Sequence, residues 1–277
     1  MESLGNIDRI SEMFKIVRKM YGLRQVDFAE QLGVRQGTVS KIESGTMAPD
    51  LGAWFLLLKA FKINDPYCFI YSGVEFADSV FENVRQHGSE LAPRFNFTRS
   101  NQVAVMRLIR PFFDYLKEVD QRPLEKFLKK EKVEIEIFAV LNHPLGFDFL
   151  DRFLFYLSTS DVVTEAFPII ALNFNIAFGQ HLEQFKSSAN LFETFNSFYQ
   201  QEFTLVQFEK SSQTLEYFAN INQEQFSKLT NSKKNEFFFK YLLLFPYYLE
   251  KSLKGIIHHP EIEKISESDK WKIHYQV

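Results

Sequence analysis

Cysteine is nearly absent from this 277-residue chain. Cys68 stands alone, so no internal disulfide can form, and a reducing cytoplasm is the expected compartment. Long apolar runs are missing too. The densest stretch, Phe237 to Tyr248, is broken by Lys240 and Pro246, well short of the roughly 18 apolar residues of a membrane span. No membrane association is expected. The opening residues MESLGNIDRI show no basic region followed by an apolar core, so no signal peptide is expected. Neither sign of charge dominates: 32 Lys and Arg stand against 35 Asp and Glu, a net charge of −3. That excludes a chain that is basic throughout, but it leaves room for one basic face on a small domain.

The residue constellations of common enzymes are also lacking. The histidines are His87, His143, His181, His258, His259 and His274, and none has the spacing of a metal-ligand motif. His258-His259 precedes Pro260 and reads as a loop, as His143-Pro144 reads as a turn. His181, on a helical stretch, is the least unsuitable axial ligand for a haem. There is no glycine-rich dinucleotide or phosphate loop, no Gly-x-Ser-x-Gly, and no second thiol. No catalytic residue, no metal and no cofactor is therefore expected, and the chain does not read as an enzyme. Repeats of 34 residues are not seen either, which weakens a tetratricopeptide reading.

Phenylalanine, by contrast, is abundant, at 32 residues. Phe, Lys, Asn and Ile rise together, as codon bias in an AT-rich genome would produce, and the other reading is an aromatic pocket.

Periodicity organises the first 64 residues. Asn6 to Tyr21 has apolar residues at Ile7, Ile10, Met13, Phe14, Val17 and Met20, a helical spacing closed by Gly22. Leu23 to Leu32 reads as a second helix with Val26, Phe28, Ala29 and Leu32 inward. Gly33 follows, where a positive φ is needed. Arg35 to Glu43 reads as a third helix seated by Val39 and Ile42, and Ser44-Gly45 stops it. Leu51 to Phe61 reads as a fourth, with Leu51, Trp54, Leu57, Leu58 and Phe61 on its apolar side. Four short helices with a tight turn between the second and third predict a helix-turn-helix.

The run LRQVDFAEQLGVRQGTVSKIESGTMAPD resembles the central pattern of the phage-repressor (Xre/Cro/cI-like) helix-turn-helix family. The marks are Gln25, Phe28-Ala29, Leu32-Gly33-Val34, Val39-Ser40, Ile42-Glu43, Gly45 and Pro49. The resemblance covers about residues 7 to 64. It implies a DNA-binding face formed by Arg24, Gln25, Arg35, Gln36, Thr38, Ser40 and Lys41. In this reading Gln36 suits a bidentate contact to adenine, Arg35 or Lys41 a guanine or a phosphate, and Gln25 a phosphate. Ala29 is small so that the second and third helices can approach, and Glu43 pairs with a cation near the first helix, with Arg18 the candidate. Two departures stand out. Arg24 occupies the position where the family usually has Thr, which removes a side-chain helix cap. Gly37 stands where many relatives carry a side chain able to read a base.

Beyond the head, residues 66–98 read as a linker containing a helix over Val74 to Gln86, and 99–277 as a larger domain. Helices are expected over Val103 to Lys117 with Pro111 as a kink, Pro123 to Lys130, Phe147 to Ser158, Val162 to Gly179, Leu191 to Gln201 and Gln223 to Lys254. Val133 to Leu141 fits either a strand or a helix. The period changes to 2 in FTLVQFE and TLEYFANI, and again in Pro260 to Ile265 and Lys270 to Val277, so two β-hairpins are expected.

The predicted fold class is thus an all-α helix-turn-helix domain over 1–65 plus a larger α+β domain with two hairpins in a small antiparallel sheet. The segment order loosely resembles helix-rich ligand-sensing domains of bacterial regulators, and no ligand residue carries over. The expected function is a transcription regulator that binds double-stranded DNA on a palindromic operator as a homodimer. The larger domain would be either a packed dimerisation core or a core with a Phe-lined pocket for an apolar small-molecule effector. Three alternatives stay open at this level: a peptide- or small-molecule-responsive regulator with an all-helical repeat body, a protein-binding scaffold with a helix-turn-helix head, and an enzyme with an appended head.

Overall fold

The computed structural model describes residues 3–64, 73–87, 102–119, 121–159, 206–210, 216–221, 260–264 and 270–275. The chain divides into two compact units. One comprises residues 1–100 with 106–144, the other residues 101–105 with 145–277.

The first unit opens with α1 (Ser3–Met20), α2 (Gln25–Gln31), α3 (Gln36–Glu43) and α4 (Leu51–Ala60). Their boundaries follow the chemistry of the turns. Gly22, Gly33 and Gly45 all adopt positive φ, between 63° and 72°. Gly33 does so in the turn between α2 and α3, where Val34 N–H donates to the Ala29 carbonyl at 3.0 Å. α4 is capped by Asp50, whose carboxylate accepts from the Ala53 amide at 2.7 Å.

The core of the four helices is aromatic. Phe14 meets Phe28 edge-on with centroids 6.2 Å apart, Phe28 lies 4.8 Å from Phe61, and Tyr21 lies 5.0 Å from Phe61. Burial pushes the Tyr21 hydroxyl up from its ordinary pKa, and this hydroxyl donates to the Phe61 carbonyl. Tyr21 also meets Phe76 at 6.1 Å, so the aromatic cluster continues past the four helices.

Two expected inward residues face solvent instead: Val26 is 50% exposed and Leu51 is 70% exposed. α2 runs only from Gln25 to Gln31. With Phe28, Ala29 and Leu32 buried, Val26 falls on the outer side of a two-turn helix. On α4 the buried face is Ala53 and Leu57, which turns Leu51 outward.

The rest of this unit departs from its periodicity. The expected helix from Val74 begins only at Asp78, as α5 (Asp78–His87). Val74 and Phe76 are spent on single β-bridges, to Val140 and Ile63. The helix expected from Val103 is instead a strand, β1 (Gln102–Val105), which belongs to the second unit. A 3-10 turn (Met106–Leu108) follows, then α6 (Arg110–Val119). Pro111 is the second residue of α6 and makes no kink, because a first-turn residue needs no intrahelical N–H partner. α7 (Gln121–Glu131) follows, and Val133 to Leu141 resolves as a 3-10 turn over Ile135–Ala139. Ile137, Phe138 and Ala139 are consecutively buried there, a pattern that neither a period of 2 nor of 3.6 describes.

Residues 106–144 group with the helical head through specific bonds. Lys19 Nζ donates to Glu136 at 2.9 Å, with Lys15 4.0 Å from the same oxygen. Burial raises the Glu136 pKa, but the Lys19 hydrogen bond and both lysine charges outweigh it, so the carboxyl titrates below its ordinary value. Arg107 and Glu75 form a buried ion pair at 2.8 Å. Asn142 accepts from the Phe76 amide and donates to its carbonyl, pairing with that backbone like a neighbouring strand.

In the second unit, β1 pairs with β2 (Pro144–Gly146), a strand that starts on the last residue of the first unit, and α8 (Phe147–Ser158) follows. Phe149 and Phe153 of α8 are buried and stacked, and Phe155 is exposed. Strands β3 (Val206–Lys210), β4 (Glu216–Ile221), β5 (Pro260–Lys264) and β6 (Lys270–Tyr275) form one antiparallel sheet, in the order β3-β4-β6-β5. The period-2 segments thus pair where two hairpins were expected, and β4 joins β6 with Phe218 opposite Lys272. The expected helices over 162–179, 191–201 and 223–254 lie outside the described residues, and so does most of the Phe-rich stretch.

His143 was expected in an ordinary turn. It is wholly buried, edge-on to Phe81 at 5.7 Å, with Nδ1 2.9 Å from the Pro144 carbonyl. Only a protonated Nδ1 can donate to that carbonyl. Burial drives its pKa down to about 3 from an ordinary 6.5, against the opposing pull of the Pro144 bond. The unfolded chain therefore binds a proton that the folded chain refuses. Its contribution to stability is fully present above pH 6.5 and is lost as pH falls toward 3. From pH 7 to pH 5 this amounts to about 2 kcal/mol, at 1.36 kcal/mol per pH unit below the unfolded pKa. His143→Asn, which keeps a donor for the Pro144 carbonyl, is expected to flatten the urea-unfolding free energy across this window. An unchanged slope between pH 5 and 7 would contradict the assignment.

Candidate nucleic-acid interface

α2, the Gly33 turn and α3 position every residue expected at the interface. Val39 and Ile42 are fully buried and seat α3 on the core. The opposite side of α3 presents Arg35, Gln36, Gly37 and Lys41 to solvent, with Thr38 and Ser40 half-buried at its margins. A helix of this diameter, carrying polar side chains on its outer face and braced from behind, fits the major groove of B-form DNA.

Beneath this face runs a chain of hydrogen bonds between side chains. Arg18 on α1 grips the Glu43 carboxylate with two nitrogens, Nε to Oε1 at 2.6 Å and Nη2 to Oε2 at 3.2 Å. The third Arg18 nitrogen, Nη1, donates to the Leu23 carbonyl at 2.9 Å and holds the turn into α2. This is the pairing expected of Glu43. Glu43 has a second role that spacing alone did not reveal: its Oε2 accepts from Gln25 Nε2 at 2.8 Å. Gln25 Oε1 in turn accepts from Gln36 Nε2 at 2.8 Å.

The direction of that chain has a chemical cause. An ionised carboxylate can only accept, so Gln25 must turn its NH2 to Glu43 and its oxygen to Gln36. Gln36 must then turn its own NH2 toward Gln25. One N–H and the carbonyl oxygen of Gln36 stay available on the outer surface. These are one donor and one acceptor, the pair that adenine N7 and N6–H2 require in the major groove.

Arg24 is placed differently from a simple phosphate-seeking cation. It occupies the N-cap of α2 with no side-chain cap bond, as its identity foretold. Its guanidinium makes two 2.8 Å bonds to Asp27, one turn into the helix. The Arg24 hydrogen bond holds the Asp27 carboxyl below its ordinary pKa, and the same bond raises that of Arg24. The sequence reading missed Asp27 as the partner of Arg24, although an acid three residues after an arginine at a helix start was the available signal.

Gly37 has open space around the position a Cβ would take, with no atom within 4 Å. The outer face of α3 therefore lacks a side chain here by residue choice alone. Among the described residues no group of three His, Cys, Asp or Glu could hold a metal ion. No helix among them is long and apolar enough to cross a membrane.

Residues 14–67 match the helix-turn-helix family. No curated protein and no solved structure matches the chain. The four helices, the Gly33 turn and the family match agree: residues 14–67 are a helix-turn-helix domain of the Xre/Cro/cI type.

Proposed function

We propose that the chain is a sequence-specific transcription regulator that binds a palindromic operator in the cytoplasm as a homodimer. The observation that carries this reading is the oriented Gln36 amide on the outer face of α3, in a segment matching the helix-turn-helix family. In this reading Gln36 reads adenine, and Arg35 and Lys41 reach guanine or phosphate. Thr38 and Ser40 line the edge, and Gln25 and Arg24 meet the backbone. With Gly37 blank, one copy has few reading side chains. Specific binding requires roughly 4–10 kcal/mol of discrimination over non-specific DNA, which supports two copies on a symmetric site.

The second unit is then the main dimerisation element, as an α+β domain. Its sheet speaks for this against an all-helical repeat body. Whether its phenylalanines enclose an apolar effector or only a packed core bears on regulation and leaves DNA reading unchanged. The lack of catalytic motifs in the sequence supports a regulator over an enzyme.

Random-library DNA selection with the purified full chain is expected to return one enriched motif with two-fold symmetry. On that site Gln36→Ala should cost about 1–3 kcal/mol and relax preference at one base pair per half-site. Equal binding to all sequences, or an unchanged preference in Gln36→Ala, would overturn the reading.

A salt series separates Arg24 from the base-reading residues. Asp27→Asn releases the Arg24 guanidinium, so it is expected to tighten binding to any sequence and to steepen the salt dependence by up to about one phosphate-equivalent per copy. Arg24→Ala should shift both in the opposite direction. Salt slopes identical in all three proteins would remove Arg24 from the backbone-contacting set.

A further inference from the structure

α7 presents a cationic face that meets no carboxylate among the described residues. Leu124 and Leu128 stand one turn apart on the buried side of the helix. Arg122, Lys126 and Lys129 follow the i, i+4, i+7 spacing on the opposite side, with Lys130 beside Lys126, and all four are exposed. The acids of the helix lie off this stripe. Glu131 is half-buried on the inner side. Exposed Glu125 flanks Arg122 and Lys129 and accepts from Gln121 Nε2 at 2.8 Å. Four exposed cations thus stand against one exposed acid.

A single exposed lysine needs no explanation. Two features set this face apart. The first is pairing. In the same compact unit Arg18, Lys19, Arg24, Arg107 and Arg110 each meet a carboxylate at 2.6–2.9 Å. Among the described residues Arg122, Lys126, Lys129 and Lys130 meet none. The second is position. Lys129 and Lys130 suit the last turn, where the helix dipole favours cations. Arg122 stands in the first turn, where the same dipole disfavours it. Helix stability therefore accounts for the last two cations and not for the stripe as a whole.

We infer that this stripe is a second DNA-contacting surface, which holds the phosphate backbone beside the base pairs met by α3. The inference rests on the DNA-binding reading above. Charge complementarity selects the occupant, and the dimensions agree. From Arg122 to Lys129 the stripe runs about 10 Å at 1.5 Å per residue, the span of about three phosphates of one strand. The stripe is also held near the head. Lys19 of α1 binds Glu136, and Lys130 and Glu136 are six residues apart, so the end of α7 lies within about 20 Å of Glu136. Arg18, next to Lys19, holds the Leu23 carbonyl at the entry to α2, where Arg24 and Gln25 meet the backbone in the proposed complex. A lipid-binding face would need exposed apolar side chains beside its cations, and Leu124 and Leu128 are turned inward.

The test uses the full chain and two duplexes. One is the motif recovered by library selection, trimmed to its ends. The other carries the same motif with about one helical turn, ~10 bp, on each side. The double variant Lys126→Gln with Lys129→Gln is expected to bind the trimmed duplex within about 2-fold of wild type and to lose about 10-fold on the extended one. Its log–log salt slope on the extended duplex should flatten by about one to two per copy, with base preference unchanged. Glu125→Gln should tighten binding to the extended duplex and steepen that slope. Equal affinity and slope in wild type and the double variant on the extended duplex would overturn the inference. So would an equal loss on both duplexes, which would mean general attraction without a flanking contact. Loss of binding to vesicles of phosphatidylcholine and phosphatidylserine, with DNA binding intact, would assign the stripe to membranes and also overturn it.

A random-sequence duplex of the extended length keeps this inference apart from the reading on which it rests. If library selection returns no motif, a double variant that still loses affinity and salt slope on that duplex upholds the stripe while base reading fails. A selected motif with an unchanged slope in the double variant does the reverse. Absence of binding to any duplex would end both.

Discussion

The Glu43 carboxylate is the group on which the outer face of α3 depends. It is nearly buried, with a side-chain exposure of 6%, and removing one partner from a buried pair leaves an uncompensated charge costing about 3–5 kcal/mol. Arg18 supplies the compensation and, through Leu23, ties α1 to the start of α2. The same carboxylate joins α3, on which it sits, to α2 through Gln25. Three helices thus share one ion, and their mutual placement is fixed by its hydrogen-bonding capacity as well as by the apolar core. The charge also has a chemical consequence at the surface. Since it can only accept, it orients two amides in series and determines which atoms of Gln36 face outward.

The interface is balanced as well as oriented. Arg24 and Asp27 neutralise each other at the start of α2. In the proposed function such a pair lowers the sequence-independent part of DNA binding and leaves a larger share to base contacts. In the same proposal Gly37 acts the other way, leaving one position of the outer face without a side chain to read a base. On that proposal the head has modest grip and modest discrimination, which favours two copies on one site.

Much of the head was legible in the sequence because its signals are local. Gly33 and Gly45 mark turns that need positive φ, Ala29 marks a close approach, and the spacing of Val39 and Ile42 gives the buried side of α3. The Arg18–Glu43 pair was legible through the family resemblance, in which an acid at the close of the third helix pairs with a cation near the first. Other features depend on partners distant in sequence. Leu51 and Val26 are apolar and fit a helical pattern, yet the short helices turn them outward, and no periodicity reports which of two apolar faces is used. Val74 and Phe76 fit a helix, but Val140 and Ile63 draw them into bridges. His143 looked like part of a turn, and its burial is set by Phe81, some 60 residues earlier. Pro111 was read as a kink because the start of its helix, displaced by β1, was not visible in the pattern. The period-2 segments did announce the strands of the four-stranded sheet, while their order, with β4 beside β6, is a long-range choice.

The most direct test of this account is a thermodynamic cycle between two residues that need not touch, Glu43 and Gln36, measured as DNA affinity on the selected operator. If Glu43 orients Gln36 through Gln25, then Gln36→Ala costs less in a Glu43→Gln background than in wild type. The two changes should couple by at least about 0.5 kcal/mol. Additivity within about 0.3 kcal/mol, in proteins shown by melting to be folded, would mean that Gln36 reads DNA without the carboxylate behind it and would contradict the account.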